Sequence, residues 1–223
     1  MDMRELITNV NIEKIERTMK ALEKNNMTAH FAKDHEELIE IVKSIAPEGS
    51  TVSCGGTVTI SQCGVLDLMR SGYYNFLDRA APGITPEGVR DVYRKTFDCD
   101  AFFCSSNAIT EKGELYNVDG NGNRLQNVVH GPKHIIVIAG INKIVRDLDA
   151  AVYRTKTIAC PANARRQGID VPCAKLGRCI AADKEMTDGC NALGRMCISY
   201  VITGYQRIKD RIHVIFLNEE LGF

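Results

Sequence analysis

The sequence predicts an α/β layered fold with a mostly parallel sheet. Short runs of apolar and β-branched residues alternate along the chain with segments whose apolar residues recur at helical spacing. This alternation is typical of units in which a helix connects neighbouring parallel strands. A chain of 223 residues is long enough to bury a substantial core. We therefore predict one domain over residues 1–223, with a cysteine-rich excursion at about 160–197.

The first half of the chain has the clearest helix boundaries. Residues 3–25 place their apolar side chains mostly on one helical face. Asp34 is suited to cap the next helix, which Pro47 stops. Thr85-Pro86 has the residue types of a third helix start. A further helix is predicted over TISQCGVLDLMRSG, and the strands between these helices are MTAHFAK, STVSCGG, YYNFLDR and CDAFFCSS.

The second half of the chain holds more predicted strands than helices. HIIVIAG is the most apolar of these strands, and the others are ELYNVDG, CISYVITGY and RIHVIFL. The segment DLDAAVYRTKTIACPANARR is predicted as a helix that closes near Cys160-Pro161, because proline disrupts the hydrogen bonds of a helix interior.

Charge and composition restrict the classes of partner. The 28 basic and 28 acidic side chains balance, so no overall positive field attracts nucleic acid. No apolar run is long enough to cross a bilayer, and MDMRELITNV lacks the pattern of a secretory signal. Nine cysteines, an odd number, fit a reducing compartment. We predict a cytoplasmic protein with neither nucleic-acid nor membrane partners.

Three polar loops follow predicted strands and are the best candidates for a ligand site. Their sequences are CGGTVTISQCG, NAITEKGELYNVDGNGNR and AGINKIV. Ligands of α/β folds bind beyond the carboxyl ends of the strands, and the Gly55-Gly56 pair permits close backbone approach. Each loop alone has a simpler explanation, such as a hairpin turn at Asp119-Gly120. Three loops of this character together predict a shared polar cleft.

These loops, with GPKHIIVIAGINKIV, PANARR and the late cysteines, resemble the lactate-utilisation (LUD) domain family over about residues 10–200. The resemblance implies a LUD-like domain with a three-layer α/β sandwich around a mainly parallel sheet. Such a fold is similar to that of the ribose-5-phosphate isomerase and CoA-transferase group. The resemblance also implies a bacterial cytoplasmic protein that acts with iron–sulfur or flavin partner proteins in lactate oxidation.

Carried onto this sequence, the resemblance implies a set of pocket residues. Asp119 is the predicted catalytic residue, with Glu111 and Glu114 as weaker alternatives. Relatives have a carboxylate near the position of Gln62, whose amide cannot exchange a proton near neutral pH. Arg165 and Arg166 can clamp an anion, although a basic helix end is the simpler interpretation. The predicted ligand-binding residues are Gly55, Gly56, Thr57, Thr59, Asn107, Thr110, Gly113, Asn117, Gly120, Asn123, Asn142 and Lys143.

The late cysteines form a separate candidate site. Cys173, Cys179, Cys190 and Cys197 are separated by five, ten and six residues. Four thiolates can bind zinc or ligate an iron–sulfur cluster, but the set lacks a Cys-x-x-Cys pair. Metal binding, free thiols and a disulfide therefore stay open. The other cysteines are predicted to pack as small apolar residues, and they are Cys54, Cys63, Cys99, Cys104 and Cys160.

The main functional hypothesis is a lactate-utilisation protein that binds a small anionic metabolite and takes part in 2-hydroxy-acid oxidation. This hypothesis leaves open whether the chain is itself an enzyme, a subunit of one or an accessory protein. It is also compatible with a homo-oligomer. One alternative is a cysteine-based metal, iron–sulfur or redox-sensing module. Another is an isomerase-like enzyme acting on a sugar phosphate, which is weaker because Asp119 is its one candidate base.

Overall fold

A computed structural model describes residues 2–223 and contains two β-sheets. The first sheet has six strands, all parallel, in the order β1-β10-β7-β4-β2-β3. The second has the order β8-β5-β6-β9 and is mostly antiparallel. The strands are β1 Thr28–Ala32, β2 Thr51–Cys54, β3 Asn75–Phe76, β4 Ala101–Cys104, β5 Ala108–Thr110, β6 Leu115–Asp119, β7 His134–Gly140, β8 Ile144–Val145, β9 Ser199–Thr203 and β10 Ile212–Leu217.

Two of the predicted helix starts are confirmed by their side-chain caps. The Asp34 carboxylate accepts a hydrogen bond from the Glu37 amide at 2.8 Å, and the Thr85 hydroxyl accepts one from the Gly88 amide at 3.1 Å. Each cap uses an amide that has no partner within its helix. The helices are α1 Met3–Lys24, α2 His35–Ile45, α3 Val58–Gln62, α4 Val65–Arg70, α5 Pro86–Lys95, α6 Leu125–Val129, α7 Leu148–Arg154, α8 Cys160–Arg166 and α9 Pro172–Leu176.

The parallel sheet is buried on both faces, which explains its apolar strands. Phe103 packs in a core with residues of α2, α3 and α4. Its neighbour Phe102 points to the opposite face and packs in a second core with residues of α1 and α6. Side chains alternate between the faces of a strand, so each central strand contributes to both cores. The predicted three-layer α/β sandwich is confirmed.

The strand order brings the three candidate loops together. Strand β4 lies between β7 and β2, and all three strands run in the same direction. The first loop follows β2, the second follows β4 and the third follows β7. Because neighbouring parallel strands end at the same edge of a sheet, the loops leave the sheet side by side.

Two helix boundaries differ from the sequence-based expectation. The helix predicted to close near Cys160-Pro161 continues to Arg166, with a π-helical turn at Thr155–Ala159 between α7 and α8. Pro161 lies in the first turn of α8, where the amide hydrogen that proline lacks is not needed for a hydrogen bond within α8. The π-helical turn, which is wider than an α-helical turn, directly precedes α8. The helix predicted over residues 59–72 is divided at Gly64, whose φ of +74° is left-handed. No helix within residues 2–223 is both long and apolar enough to cross a lipid bilayer.

A buried histidine should make the fold sensitive to acid. His213 on β10 is 7% exposed and lies against His30 and His134. Its Nε2 donates a hydrogen bond to the Asp210 carbonyl at 2.8 Å. Burial, with a smaller contribution from His30, lowers the pKa of His213 from 6.5 to about 4. The folded protein therefore keeps His213 neutral at pH values where the unfolded chain binds a proton.

We expect stability to fall by up to roughly 3 kcal/mol, through this histidine alone, as the pH drops from about 6.5 to about 4. Above pH 6.5 the His213 contribution should be constant, because the ring is then neutral in both states. Urea unfolding at a series of pH values measures the slope, and His213→Gln should reduce it. The exposed His130 supplies the control, since His130→Gln should leave the His213 contribution in place. Equal slopes in the wild type and His213→Gln would contradict this account.

Candidate functional site

A cleft with a volume of about 730 Å³ lies at the carboxyl ends of β2 and β4. Residues of all three candidate loops line it, together with residues 193–196 and the tail at 222–223. Of the residues predicted from sequence, the cleft is lined by Gly55, Gly56, Thr57, Thr59, Asn107, Asp119, Gly120, Asn123 and Lys143.

Arg124 organises the second loop. Its guanidinium donates to the side-chain oxygens of Asn107 and Asn117, each at 2.9 Å. It also donates to the carbonyls of Ser105 and Val118, again at 2.9 Å. The side chain is only 11% exposed, and it passes so close to Gly55 that a Cβ there would lie 3.2 Å from it. Arg124 therefore connects the first loop to the second.

Arg154 on α7 connects the second loop to the third. Its Nη1 donates to the Asn107 carbonyl at 2.6 Å, and its Nε donates to the Asn142 carbonyl at 2.8 Å. Arg154 is 7% exposed, and burial lowers its pKa to about 10. A buried charge of this kind is tolerated when strong acceptors surround it. The two arginines thus hold the three loops in one arrangement.

The wall of the cleft carries an excess of positive charge. Asp78 and Asp119 are the acidic residues in it among the described part of the chain. Asp78 pairs with Arg70 at 2.9 Å, and an Asp119 oxygen lies 3.8 Å from Arg124. The remaining cations in the wall have no carboxylate partner there, and they are Arg79, Lys143, Arg166 and Arg195. Such a surface favours an anionic ligand.

Lys143 is the most unusual cation of the cleft. It is 4% exposed, and its Nζ donates to the Phe223 backbone oxygen at 2.7 Å. Burial, followed by the charges of Arg154 and Arg124, lowers its pKa from 10.5 to about 7. The amine therefore exists in charged and neutral forms near neutral pH. In the neutral form it can accept a proton, and in the charged form it can bind an anion.

Two hydroxyl groups in the wall have no hydrogen-bond partner within residues 2–223. They belong to Thr59 and Ser105, which are 1% and 5% exposed. Buried polar groups are nearly always paired, so unpaired hydroxyls in a cleft indicate positions where a bound molecule or water completes the bonds.

Asp119 lies in the cleft and also starts helix α6. Its Oδ2 accepts hydrogen bonds from the amides of Arg124 at 3.2 Å and Leu125 at 3.3 Å. These two hydrogen bonds position the loop independently of any catalytic role of the carboxylate. The catalytic role of Asp119 stays a prediction.

A second, smaller cavity of about 30 Å³ lies behind the cleft wall. The predicted metal ligands Cys173, Cys179, Cys190 and Cys197 line it, and so does Cys160. Cys160 was predicted only to pack as a small apolar residue, but the extended helix brings it into this cysteine cavity. Val118, Cys160, Arg195 and Met196 line both hollows, so one wall separates them.

The thiols of the cysteine cavity differ in their ionisation. A hydrogen bond from Cys160, with help from Arg195 and Tyr200, lowers the pKa of Cys197, whereas the same bond raises the pKa of Cys160. Among residues 2–223, no group of three or more His, Cys, Asp or Glu side chains has the arrangement to hold a metal ion.

Comparison with known proteins identifies the family of the chain. A family model described as the LUD domain matches residues 15–217. The chain belongs to the LUD domain family. This family is associated with lactate utilisation, in agreement with the resemblance seen in the sequence. No curated protein matches this LUD domain chain.

The fold of this LUD domain is similar to that of a solved structure. The crystal structure of a DUF162 family protein from Deinococcus radiodurans has a TM-score of 0.50 and 11% sequence identity. The match covers 93% of this chain and 98% of the other. At such low identity the likeness supports the α/β fold alone.

Some residues predicted to bind ligand lie outside the lining of the LUD domain cleft. Thr110 donates to Glu114 at 2.8 Å in the turn between β5 and β6. Gly113 in that turn has a φ of +79°, and a Cβ there would come within 2.6 Å of the Ala21 backbone. These two residues therefore position the turn against α1. Glu111, a weaker candidate base, lies in the same turn with an oxygen 3.7 Å from Arg17.

Asn117 and Asn142, the other predicted residues outside the lining, contact residues that form the cleft or its neighbouring tail. Asn117 is buried and accepts a hydrogen bond from Arg124, so it supports the cleft from behind. The Asn142 side chain bonds to the backbone of Leu221, with an amide-to-oxygen distance of 3.2 Å. Gln62 likewise accepts from the Gly222 amide at 2.6 Å and lies outside the cleft. Asn142 and Gln62 thus hold the tail whose residues 222–223 line the LUD domain cleft.

Three polar residues on which the arrangement or charge of the LUD domain cleft depends were not among those predicted from the sequence. Arg124 ends the motif NAITEKGELYNVDGNGNR and could have been found there as its only arginine. Ser105 follows β4 directly, which is the usual position for a ligand-binding residue. Arg79 has no sequence signal, since it follows a short edge strand and reaches the cleft only through the tertiary fold.

Proposed function

We propose that the cleft binds a small carboxylate, a 2-hydroxy acid of the lactate class, and that the protein takes part in its oxidation. The observation that carries this proposal is the coincidence, in one cleft, of four cations that have no carboxylate partner in the wall and two buried hydroxyls that have no hydrogen-bond partner. Arg79 and Lys143 can hold a carboxylate, and Thr59 and Ser105 can bond to its oxygens or to the 2-hydroxyl.

The size of the cleft supports a second participant. A volume of about 730 Å³ exceeds the space that a three-carbon acid needs and falls in the range of sites for cofactor-sized molecules. Oxidation of a 2-hydroxy acid removes two electrons and two protons, so an electron acceptor must be present. We propose an iron–sulfur or flavin partner protein for that role. Asp119, the predicted catalytic residue, is the candidate base for the hydroxyl proton, because Lys143 is already protonated when it holds the carboxylate.

A thermal-shift series tests the binding step. Lactate and glycolate should raise the melting temperature in a concentration-dependent way, because they bind only the folded chain. Ribose 5-phosphate, flavin mononucleotide and acetyl-CoA are the comparison ligands. A response to ribose 5-phosphate but not to either 2-hydroxy acid would contradict the proposal and favour the isomerase-like alternative.

Gly56→Ala should weaken lactate binding at least about tenfold with little change in stability. A Cβ at position 56 would lie 2.6 Å from Nη2 of Arg79, so this guanidinium must move. The moved group is the end of a flexible side chain, and the stability change should stay below about 1 kcal/mol. Titration of lactate by calorimetry and urea unfolding measure the two effects.

The control for this variant is Gly204→Ala, because a Cβ there meets nothing within 4 Å. It should leave lactate affinity unchanged. If Gly56→Ala binds lactate as tightly as Gly204→Ala does, Arg79 has no part in the site.

A further inference from the structure

One edge of the second sheet is open. Strand β9 pairs with β6 and stands last in the order β8-β5-β6-β9, so its other side has no neighbouring strand within residues 2–223. In this part of the chain, no backbone hydrogen bond joins residues 199–203 to a segment other than β6. An edge strand turns about half of its amide and carbonyl groups away from its neighbour. β9 therefore presents a row of unpaired backbone groups to the outside.

The open edge lacks the features with which natural proteins protect an edge strand. Such strands are usually very short, or they carry charged residues or proline. The strand at the other edge of this sheet, β8, has only two residues. β9 has five residues and reads Ser-Tyr-Val-Ile-Thr, with neither a charge nor a proline. An uncharged edge of this length is suited to pair with another strand.

Apolar side chains continue from the core of the second sheet to its open edge. Tyr116 and Val118 of β6 lie directly opposite Ile202 and Tyr200 of β9. Tyr116 and Val118 are buried, and Tyr200 packs against their cluster. Directly opposite residues of neighbouring strands point to the same face of a sheet, so Ile202 extends this cluster to the edge, where it is 43% exposed. A strand added beside β9 would cover Ile202 and continue the core.

The residue order of β9 fits a second copy of the same strand. In an antiparallel pairing around a twofold axis at Val201, this residue faces its own copy. Tyr200 then faces Ile202 of the other copy, and Ser199 faces Thr203 of the other copy. Aromatic residues opposite β-branched residues, and hydroxyl residues opposite each other, are pairs that stabilise antiparallel sheets. The strand is therefore complementary to itself.

We propose that β9 pairs with β9 of a second copy of this chain, so that the second sheets of two copies join into one continuous sheet. The pairing is antiparallel and centred on Val201, and its twofold symmetry closes the assembly at a dimer. Met196 and Ile198, which precede β9, line the large cleft, so the interface lies beside the cleft wall. This inference does not depend on which molecule occupies the cleft.

Sedimentation velocity of the full chain over a range of concentrations tests the dimer. We expect Ile202→Lys to sediment as a monomer at concentrations at which the wild type is a dimer, because the lysine places a charge on the paired edge. Circular dichroism checks that the variant is folded. Ile7→Lys is the matched control, since Ile7 is 57% exposed on α1 and its replacement should leave the dimer intact. A monomeric wild type, a dimer that persists in Ile202→Lys, or a monomeric Ile7→Lys would each overturn the proposal.

A cysteine cross-link tests the register without requiring a variant that loses the dimer. Val201→Cys places two thiols directly opposite each other, at a separation that a disulfide can bridge. Oxidised glutathione should therefore link two copies through residue 201, which peptide mass spectrometry under non-reducing conditions identifies. Ile202→Cys is the control, because residue 202 faces residue 200 of the other copy and lies too far from its own equivalent. Absence of a link through residue 201, or a link through residue 202, would contradict the proposed pairing.

Discussion

Arg124→Met should cost about 3–5 kcal/mol of unfolding free energy and remove most of the affinity for lactate. The substitution keeps an unbranched side chain but removes the Arg124 donor from four oxygen acceptors. The Asn107 side-chain oxygen keeps a second donor, the Val118 amide, whereas that of Asn117 loses its donor. Unpaired buried polar groups are strongly destabilising. The loss of loop order should then misplace the ligand-binding side chains. Urea unfolding and a lactate titration measure the two effects.

Arg94→Met is the control for this prediction. Arg94 is 66% exposed and pairs only with Asp91 on the same helix, so its loss should change stability by less than about 0.5 kcal/mol. Arg124→Lys separates charge from geometry, because an ammonium cannot reach the same four acceptors. It should recover only part of the stability. An Arg124→Met protein as stable as Arg94→Met would show that the hydrogen bonds of Arg124 do not hold the loops.

Lactate affinity should be constant below about pH 7 and should fall about tenfold per pH unit above it. Burial lowers the pKa of Lys143 to about 7, so above that pH the amine must take up a proton when it binds a carboxylate. Affinity measured between pH 6 and pH 9 tests this expectation. The Lys143→Met variant should bind lactate weakly, and its affinity should no longer fall with pH above pH 7. The exposed Lys209 provides the control, since Lys209→Met should keep both the affinity and the slope.

The same amine should affect stability in the opposite pH range from His213. The pKa of Lys143 is lower in the folded chain than its usual value of 10.5, so between about pH 7 and 10.5 the unfolded state binds more protons. Stability should therefore rise with pH across this range by a few kcal/mol. Below pH 7 the free-energy cost of burying the charged Lys143 should be constant. Lys143→Met should flatten the rise. A rise that persists in Lys143→Met would assign it to another group.

Much of the fold was predictable because its signals are local. The caps at Asp34 and Thr85 depend on amides three residues away, and the buried strands follow from runs of apolar residues. The three-layer arrangement follows from alternating helices and strands. The motifs in the loops also led from the sequence to the LUD domain family, which the match over residues 15–217 shows.

Other features depend on residues that meet only in the folded chain. Nothing near Arg154 in the sequence reveals that it bonds to Asn107, 47 residues earlier. Likewise, Cys160 joins the late cysteines only because a π-helical turn lets the helix continue past the expected stop. The sequence by itself determined the elements, the family and the loops that approach a ligand. The tertiary structure decided which side chains face the cleft, because those contacts depend on strand order and helix length.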